Sequence, residues 1–366
     1  MKIMCPLMAA AFCMGPAEAV RAPAEAGHYA RQSQAAQQNR PFVVGTASAA
    51  RGQKAYGVIH VPSGSDAGYD IPVAVIHGTA PGPVLAVVSG AHGTEYASIL
   101  AVEELIATVD ATRMSGTLIL VPIVNINSFD KITPHVNPTD NKSMNRFYPG
   151  TLSGTQTDRA SFVITKEVID QCDHLIDLHG GDLDENLRPY SYWTVTGNKA
   201  QDEISKAMVV AFGLDHIIIA ADRPKDPAAS RYLENTASVR GKPSFAAEAG
   251  RSGPPAAGDV KVLADGVRRV MAHLKMTSAR FPAPPKTTWV ETITVTAERD
   301  GVFWPAVDRD ANVAKGAKLG TVTDYWHRPL QDITSPDAGI VMFVRALPTL
   351  HKGDTVASIG VMREPR

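Results

Sequence analysis

Apolar residues in this chain fall into short segments that alternate with stretches of helical spacing. Residues 71–77 and 83–89 are two apolar segments separated by a turn that contains Gly and Pro. Residues 97–109 follow with apolar side chains at helical spacing, and Gly116 leads into another apolar segment. Strands that are apolar on both faces and alternate with helices are typical of an α/β sheet covered on both sides.

The alternation continues through the middle of the chain and then stops. It predicts strands at 174–179, 216–220 and 243–250, and helices at 199–212 and 260–274. The Pro-rich segment 281–288 predicts a boundary, and the pattern after it is that of strands joined by glycine turns. We therefore predict an α/β domain at 41–280 and a small all-β domain at 288–362.

The first residues have the features of a secretory signal. Lys2 precedes an apolar stretch at 3–14, and Ala17-Glu18-Ala19 supplies a small-x-small cleavage pattern. The stretch is shorter than the roughly 20 residues that a membrane-spanning helix needs. We expect 1–19 to be a signal peptide, 20–40 a flexible leader, and the mature protein to be exported, periplasmic or secreted. The alternative is an N-terminus with no role in export.

Composition and charge narrow the function classes. Of the 366 residues, 44% are hydrophobic and 20% charged, which is ordinary for a soluble globular protein. The formal net charge of −1 gives no support for nucleic acid, or for a membrane after signal cleavage, as a partner. Cys172 alone would remain once the signal leaves, so no intrachain disulfide is expected.

Three residues at predicted strand ends form a candidate metal site. His92 and Glu95 lie three apart just beyond one apolar strand, and His179 ends another before two glycines. Asp177, two residues before His179, shares its face of the strand and could orient a ring nearby. Each motif by itself also fits a structural role, such as an exposed turn or a strand-end histidine. Together, two imidazoles and one carboxylate make the protein ligand set of a catalytic zinc, with one position left for water.

Two further segments offer groups that such chemistry needs. Glu248 comes at a strand end in the EAG motif, where a glutamate could move a proton, or could instead pair with Arg251. Asn145 and Arg146 lie in a turn-rich segment, and a guanidinium binds a carboxylate through two hydrogen bonds. The alternative for Arg146 is a structural ion pair at the surface.

The order of these motifs resembles a known enzyme family. HGTE, NPTDNKSMNRFYPG, DLHGG and EAG follow one another as in the succinylglutamate desuccinylase/aspartoacylase family of zinc deacylases, which is related in fold to the zinc carboxypeptidases. The resemblance extends over about residues 71–362. It implies one zinc ion per chain. The site residues that it implies are His92, Glu95 and His179 as zinc ligands, Glu248 as general base, and Asn145 and Arg146 as the substrate-carboxylate pair.

The resemblance extends to the C-terminal part of the chain, and the sequence departs from the family pattern at one place. The all-β segment is similar to the biotinyl/lipoyl-like domain of the family, which implies a cap that narrows the mouth of the site. The segment between Asn125 and Asn145 carries a substrate-binding arginine in the family, whereas this chain has Pro134-His135 there. Either His135 replaces that arginine as a donor to substrate, or the acyl pocket differs.

The expected function is that of a zinc-dependent deacylase hydrolysing the amide bond of a small N-acyl amino acid or a related carboxylate-bearing amide. A metallocarboxypeptidase acting on peptides and a non-catalytic, exported, metal-dependent ligand-binding protein are the alternatives. Glu248 beside a complete ligand set favours an enzyme, and the β cap favours small substrates over peptides. The sequence does not name the acyl group, the amine or the oligomeric state.

Overall fold

The computed structural model describes residues 40–365, so the predicted signal peptide and nearly all of the predicted leader lie outside the described residues. The strands are β1 (Phe42–Val44), β2 (Ala47–Ala49), β3 (Gln53–Val61), β4 (Tyr69–His77), β5 (Ala80–Ser89), β6 (Ser115–Val121), β7 (His174–His179), β8 (Glu185–Thr194), β9 (His216–Ala220), β10 (Ser244–Arg251), β11 (Thr288–Thr296), β12 (Gly301–Pro305), β13 (Asn312–Val313), β14 (Lys318–Thr323), β15 (Pro329–Thr334), β16 (Gly339–Arg345), β17 (Thr349–Leu350) and β18 (Thr355–Met362). The helices are α1 (Tyr96–Thr108), α2 (Ile126–Asp130), α3 (Gln156–Ile164), α4 (Lys199–Phe212), α5 (Leu233–Ser238) and α6 (Ala257–His273).

Within the described residues, one mixed sheet of twelve strands organises the fold. Its order is β13-β16-β18-β11-β9-β8-β10-β7-β5-β6-β4-β3. In the middle, β5 is parallel to both β6 and β7, and β7 is parallel to β10. The carboxyl ends of β5, β7 and β10 therefore meet at the same edge of the sheet. A hairpin of β1 and β2 and a four-stranded sheet of β15-β14-β12-β17 complete the strands.

Both faces of the central sheet are covered, as the apolar pattern predicts. Along β5, Leu85 and Val87 belong to a core packed under α1, α4 and α6. Ala86 and Val88 point to the opposite face and belong to a second core that includes residues of α3 and α5. Successive side chains of a strand point to opposite faces, so an apolar strand of this kind is buried on both. The predicted α/β fold is confirmed. None of the described helices is long and apolar enough to cross a membrane.

The segment after the Pro-rich connector is all-β, which confirms that part of the prediction, and it is joined to the main sheet. β11 is parallel to β9 and antiparallel to β18, and β16 pairs with β18. Phe343–Arg345 of β16 also pair with the first residues of β8. The C-terminal strands also have a core of their own around Phe303, Leu319 and Val322. The domain boundary at the connector stays a prediction.

β8 is a ten-residue strand that the apolar pattern does not reveal. It begins with Glu185 and contains Pro189, which lacks the N–H that a sheet ladder uses. The β8–β10 pairing shifts register between the pairs Tyr190–Glu248 and Leu187–Gly250. Pro189 lies at this irregularity, where an unpaired residue is tolerated. The strand matters because its side chains form one wall of the site described next.

Candidate active site

The candidate site lies where β5, β7 and β10 end. His92 and Glu95 follow β5 in the turn that opens α1, and Glu95 directly precedes the first residue of that helix. His179 is the last residue of β7, and Glu248 is its register partner on β10. Ligand sites of open α/β sheets lie beyond the carboxyl ends of strands, so this topology brings together residues from distant parts of the sequence.

His92, Glu95 and His179 converge on one point. Nδ1 of His92 lies 2.6 Å from one carboxylate oxygen of Glu95, and Nδ1 of His179 lies 2.9 Å from the other. The three donor atoms of this group lie within 4.8 Å of one another. Two imidazole nitrogens and a carboxylate oxygen at this spacing suit a zinc ion in type and number.

The outward nitrogens of both imidazoles are held by neighbouring side chains. Nε2 of His92 lies 3.2 Å from Oγ of Ser143. Nε2 of His179 lies 3.1 Å from Nδ2 of Asn145 and 3.3 Å from a carboxylate oxygen of the fully buried Asp177. Histidines that ligate metals are typically oriented by such partners. The sequence expectation that Asp177 shares the face of His179 is met.

Electrostatics in this group favour a charged Glu95. Burial alone would raise the pKa of Glu95, but the facing imidazoles of His179 and His92 outweigh burial and hold that pKa well below its usual range. Burial opposes a charge on His179, yet Asp177 and Glu95 raise the pKa of its imidazole well above the usual value. His92, Glu95, His179 and Asp177 therefore form a cluster of ionisable groups whose charges influence one another.

The glycine pair after His179 allows close backbone approach. The N–H of Gly180 donates to Glu95 at 3.0 Å, which fixes the carboxylate from a third side. A Cβ on Gly181 would lie 2.7 Å from the backbone of Gly250, so no larger residue fits there without a shift. The DLHGG motif thus places β7 against β10 and orients Glu95 at the same time.

Glu248 lies beside the His–Glu–His group and is held by one hydroxyl. Tyr190 of β8 donates a hydrogen bond of 2.7 Å to its carboxylate. Burial, together with the charge of Glu95, raises the pKa of Glu248 to about 7, while His179 and the Tyr190 hydroxyl act in the opposite direction. A carboxyl group with a pKa near neutrality can both accept and return a proton. Arg251, the alternative partner of Glu248 suggested by the sequence, instead lies 3.6 Å from Asp308.

Asn145 and Arg146 differ in how firmly they are held. Oδ1 of the buried Asn145 accepts a hydrogen bond from the backbone of Leu233, so its side chain bridges α5 and His179. The guanidinium of Arg146 lies 4.9 Å from the ring centre of Tyr232 and donates to the Asn145 carbonyl. Within residues 40–365 it forms no ion pair with a carboxylate, which leaves its fork available to a ligand.

His135 is close to the cluster but engaged elsewhere. Its ring centre lies 6.0 Å from that of His92. Its Nε2 lies 2.7 Å from Asp184, and its Nδ1 lies 3.2 Å from Asp182. Burial disfavours the charged form of this ring, but these two carboxylates outweigh burial and raise the pKa of His135 to about 9. The side chain is thus a charged, partnered group, and it is not among the residues that line the cavity.

The other six predicted residues line one cavity of about 340 Å³. Its wall is shared by the α/β part and the C-terminal strands. The lining residues contributed by the C-terminal strands are Thr292, Thr294, Phe343, Thr355 and Ser358. A ligand of small-molecule size would therefore contact both parts of the chain.

Comparison with known proteins decides the family. Residues 81–274 match the model of the succinylglutamate desuccinylase/aspartoacylase catalytic domain, which is more than half of the chain. The chain belongs to this family. The sequence-based resemblance is confirmed, and the chain is thereby placed among deacylases that act on N-acyl amino acids.

Individual members of the family support the fold over most of the chain. An Nα-acetyl-L-2,4-diaminobutyric acid deacetylase of Halomonas elongata is 23% identical over 302 residues, which cover 80% of this chain and 86% of the relative. The product-bound ectoine utilization protein of Ruegeria pomeroyi has a TM-score of 0.77 at 24% identity, covering 88% of this chain and 98% of the other. A succinylglutamate desuccinylase from a Silicibacter species has a TM-score of 0.76 at 21% identity, covering 85% of this chain and 95% of the other.

The sequence analysis did not identify several residues that line the cavity of this protein. They are Glu185, Tyr190, Tyr192, Arg223, Tyr232 and Glu234. Tyr190 and Tyr192 are two apart on β8, and this spacing would have placed both on one face had β8 been recognised as a strand. Arg223 lies 3.1 Å from the buried Glu234 and 4.0 Å from the ring centre of Tyr232. No short motif marks that cluster, because its members come from separate loops and helices.

Proposed function

We propose that the protein is a zinc-dependent deacylase that hydrolyses the amide bond of a small N-acyl amino acid. The observation that carries the proposal is the position of Glu248 beside the converging donors His92, Glu95 and His179 in one cavity. Family membership supplies the reaction class, and this geometry supplies the groups that the reaction requires.

His92, Glu95 and His179 would hold one zinc ion per chain. Ser143 and Asp177 would accept from the Nε2–H groups of His92 and His179 and so keep both imidazoles oriented with Nδ1 toward the ion. A bound zinc ion supplies Lewis acidity that activates water and polarises an acyl carbonyl.

Glu248 would carry the proton. As a carboxylate it accepts a proton from the attacking water while the water oxygen bonds to the acyl carbon. It then gives this proton to the nitrogen as the C–N bond breaks, which yields a carboxylic acid and a free amine. The hydrogen bond from Tyr190 keeps the carboxylate oriented through both transfers.

Arg146 would bind the free carboxylate of the amino acid moiety. Its guanidinium is stacked near Tyr232 and lacks a carboxylate partner in the described part of the chain. Asn145, whose Oδ1 accepts a hydrogen bond from the backbone of Leu233, would act mainly by positioning the adjacent Arg146. The Halomonas relative, an Nα-acetyl-diaminobutyric acid deacetylase by name, supports an N-acyl amino acid as substrate.

The C-terminal strands would act as the predicted cap with a biotinyl/lipoyl-like fold, on a catalytic part of zinc-carboxypeptidase type. Five of their residues line the cavity, which supports small substrates rather than peptides. Because the ring of His135 is paired with Asp182 and Asp184, we propose that the acyl pocket differs from that of relatives with an arginine there, rather than that His135 takes over its role.

The test is a screen of zinc-loaded protein against N-acyl amino acids, their α-amides and short peptides, scored by released amine. We expect turnover of free acids, weaker turnover of α-amides because Arg146 loses its partner, and little turnover of peptides. Arg146→Ala should abolish the preference for acids over amides. Preferred release from peptides would support the carboxypeptidase alternative, and ligand binding without any turnover would support a binding protein.

A further inference from the structure

The cavity contains more carboxylates than the proposed reaction uses. Four glutamates line it, namely Glu95, Glu185, Glu234 and Glu248. Glu95 faces two histidines, and Glu234 pairs with Arg223 at 3.1 Å. Glu248 accepts a hydrogen bond from the hydroxyl of Tyr190. Three of the four therefore have a side-chain partner that compensates or orients their charge.

Glu185 has no such partner among residues 40–365. Its one side-chain contact is the backbone N–H of Asp182, 3.1 Å from Oε2, and its second oxygen is not engaged. Burial and the nearby carboxylates of Glu95 and Glu248 raise the pKa of Glu185 to about 8. Glu185 thus lies half-buried in the cavity with one carboxylate oxygen not engaged, and a cation bound beside it would stabilise its charged form.

Two cationic side chains in the neighbourhood of Glu185 are occupied by other acids. His135 is paired with Asp182 and Asp184. Arg345, which faces Glu185 across the β8–β16 pairing, forms ion pairs with Asp184 at 3.1 Å and with Asp354 at 3.4 Å. Neither side chain is free to neutralise Glu185. A cationic group of a bound molecule would therefore meet a carboxyl group that no ion pair within residues 40–365 engages.

A role as an additional metal ligand fits less well. The group of residues whose donor atoms lie within 4.8 Å of one another contains His92, Glu95 and His179, and Glu185 is not part of it. Its fixed position at the start of β8, one wall of the cavity, suits a contact with substrate instead.

We propose that Glu185 binds a positively charged amine on the substrate, so that the preferred substrates are N-acyl amino acids whose side chain carries an ammonium group. The inference rests on the proposed deacylase function and specifies its substrate class. Arg146 and Glu185 would then bind the carboxylate and the ammonium of one molecule, and the charge-assisted contact with Glu185 would exclude neutral and anionic side chains.

The test uses two substrates of equal size. Nα-acetyl-L-2,4-diaminobutyrate and Nα-acetyl-L-norvaline differ only in an ammonium group against a methyl group at the end of the side chain. We expect kcat/KM to favour the ammonium substrate by about 10- to 100-fold, the range typical of a hydrogen bond to a charged group. Glu185→Gln keeps the shape without the charge and should lower that ratio to near one.

A control and a binding measurement separate the inference from the function on which it rests. Glu298→Gln removes an exposed glutamate of the C-terminal region and should leave the ratio unchanged. Calorimetry with the free amino acids L-2,4-diaminobutyrate and L-norvaline measures the same preference without turnover, and Glu185→Gln should abolish it. If the unmutated protein had the same kcat/KM for both substrates, the inference would be overturned while the deacylase proposal stands. The same holds if Glu185→Gln lowered kcat/KM equally for both. Absence of turnover with selective binding of the ammonium ligand would overturn only the deacylase proposal.

Discussion

At the scale of single residues, a substitution at Glu248 tests the proposed proton transfer separately from the proposed metal binding. Glu248→Gln keeps the size of the side chain and its contact with Tyr190 but cannot accept a proton. We expect kcat to fall by roughly 10²- to 10⁴-fold, the usual contribution of a general acid–base. Zinc content, measured on the same preparation by elemental analysis, should be unchanged. Loss of zinc would instead make Glu248 a ligand, and near-normal turnover would place the base elsewhere.

The hydroxyl of Tyr190 is one of the groups that influence the pKa of Glu248, so it should affect the pH dependence of the proposed reaction. This hydroxyl stabilises the charged carboxylate and so lowers the pKa of Glu248, against the raising effect of burial. Tyr190→Phe removes the donor, so that pKa should rise. Because the carboxylate form is the base, the acid limb of kcat/KM against pH should move to higher pH.

The matched control is Tyr325→Phe, since Tyr325 is 87% exposed in the turn between β14 and β15 and is not among the residues that line the cavity. Its pH profile should coincide with that of the unmutated protein. An acid limb that stays in place, or moves to lower pH, in Tyr190→Phe would contradict the assignment of that limb to Glu248.

At the scale of elements, Arg159 ties α3 to the loop between β3 and β4. Its side chain is 1% exposed, forms an ion pair with Asp66 and donates to the carbonyls of Pro62 and Gly154. Arg159→Met would remove the cation that pairs with Asp66 and the donor that these carbonyls share. We expect the free energy of unfolding to fall by about 3–5 kcal/mol, as for other broken buried ion pairs.

Chemical denaturation measures this change, and Arg268 provides a comparison. Arg268 joins α6 to α1 through Glu104, but its side chain is 25% exposed and that of Glu104 is 40% exposed. Arg268→Met should cost no more than about 1 kcal/mol. If the two substitutions lowered stability equally, burial would not be the reason for the effect at Arg159.

Elements with regular apolar spacing could be predicted from the sequence, and elements held by polar contacts could not. The helix predicted at 199–212 and the strand at 216–220 have the observed bounds, because their apolar faces meet the core directly. β8 was missed because its sequence contains Pro189 and several polar residues. α3 was missed because it buries Gln156, Thr157 and Arg159, and partners of Gln156 and Arg159 lie about 90 residues away.

The same distinction applies to the candidate site. His92, Glu95 and His179 follow or end predicted strands, so topology alone brings them to one edge of the sheet. Glu185 and Arg223 lie in the cavity only because β8 and the segment after β9 fold against it. The sequence left open whether His135 contacts substrate or the acyl pocket differs, because its place in the chain says nothing of Asp182 and Asp184, which the fold brings beside its ring.

At the scale of the whole molecule, the C-terminal strands complete the edge of the main sheet. A stop codon after Thr287 would remove β11 and leave β9 without its outer neighbour. It would also remove Trp289, whose ring packs 5.4 Å from that of Trp193. We expect the shortened protein to be insoluble or unfolded, judged by near-ultraviolet circular dichroism against the full chain. A soluble product with cooperative unfolding would show that the α/β part is an independent domain.

The N-terminal pattern leads to a proposal about the site of action. Lys2, the apolar stretch at 3–14 and Ala17-Glu18-Ala19 favour cleavage after Ala19 and export. N-terminal sequencing of protein from the native host should then give a chain that begins at Val20. Intact Met1 on protein from the cytosol would contradict export.

The pairing of β16 with β8 has a consequence for how substrate enters. Glu185–Leu187 are held by β16, while Tyr190–Trp193 of the same strand are held by β10 and Ser191–Thr194 by β9. Swinging the C-terminal strands aside would break a backbone ladder, unlike the movement of a loop on hinges. The opening of the cavity should therefore keep a constant width, and this width should limit the size of the substrates that enter. Turnover should drop sharply once the acyl or amine part exceeds the opening, with no slow opening phase before the chemical step in rapid-mixing experiments.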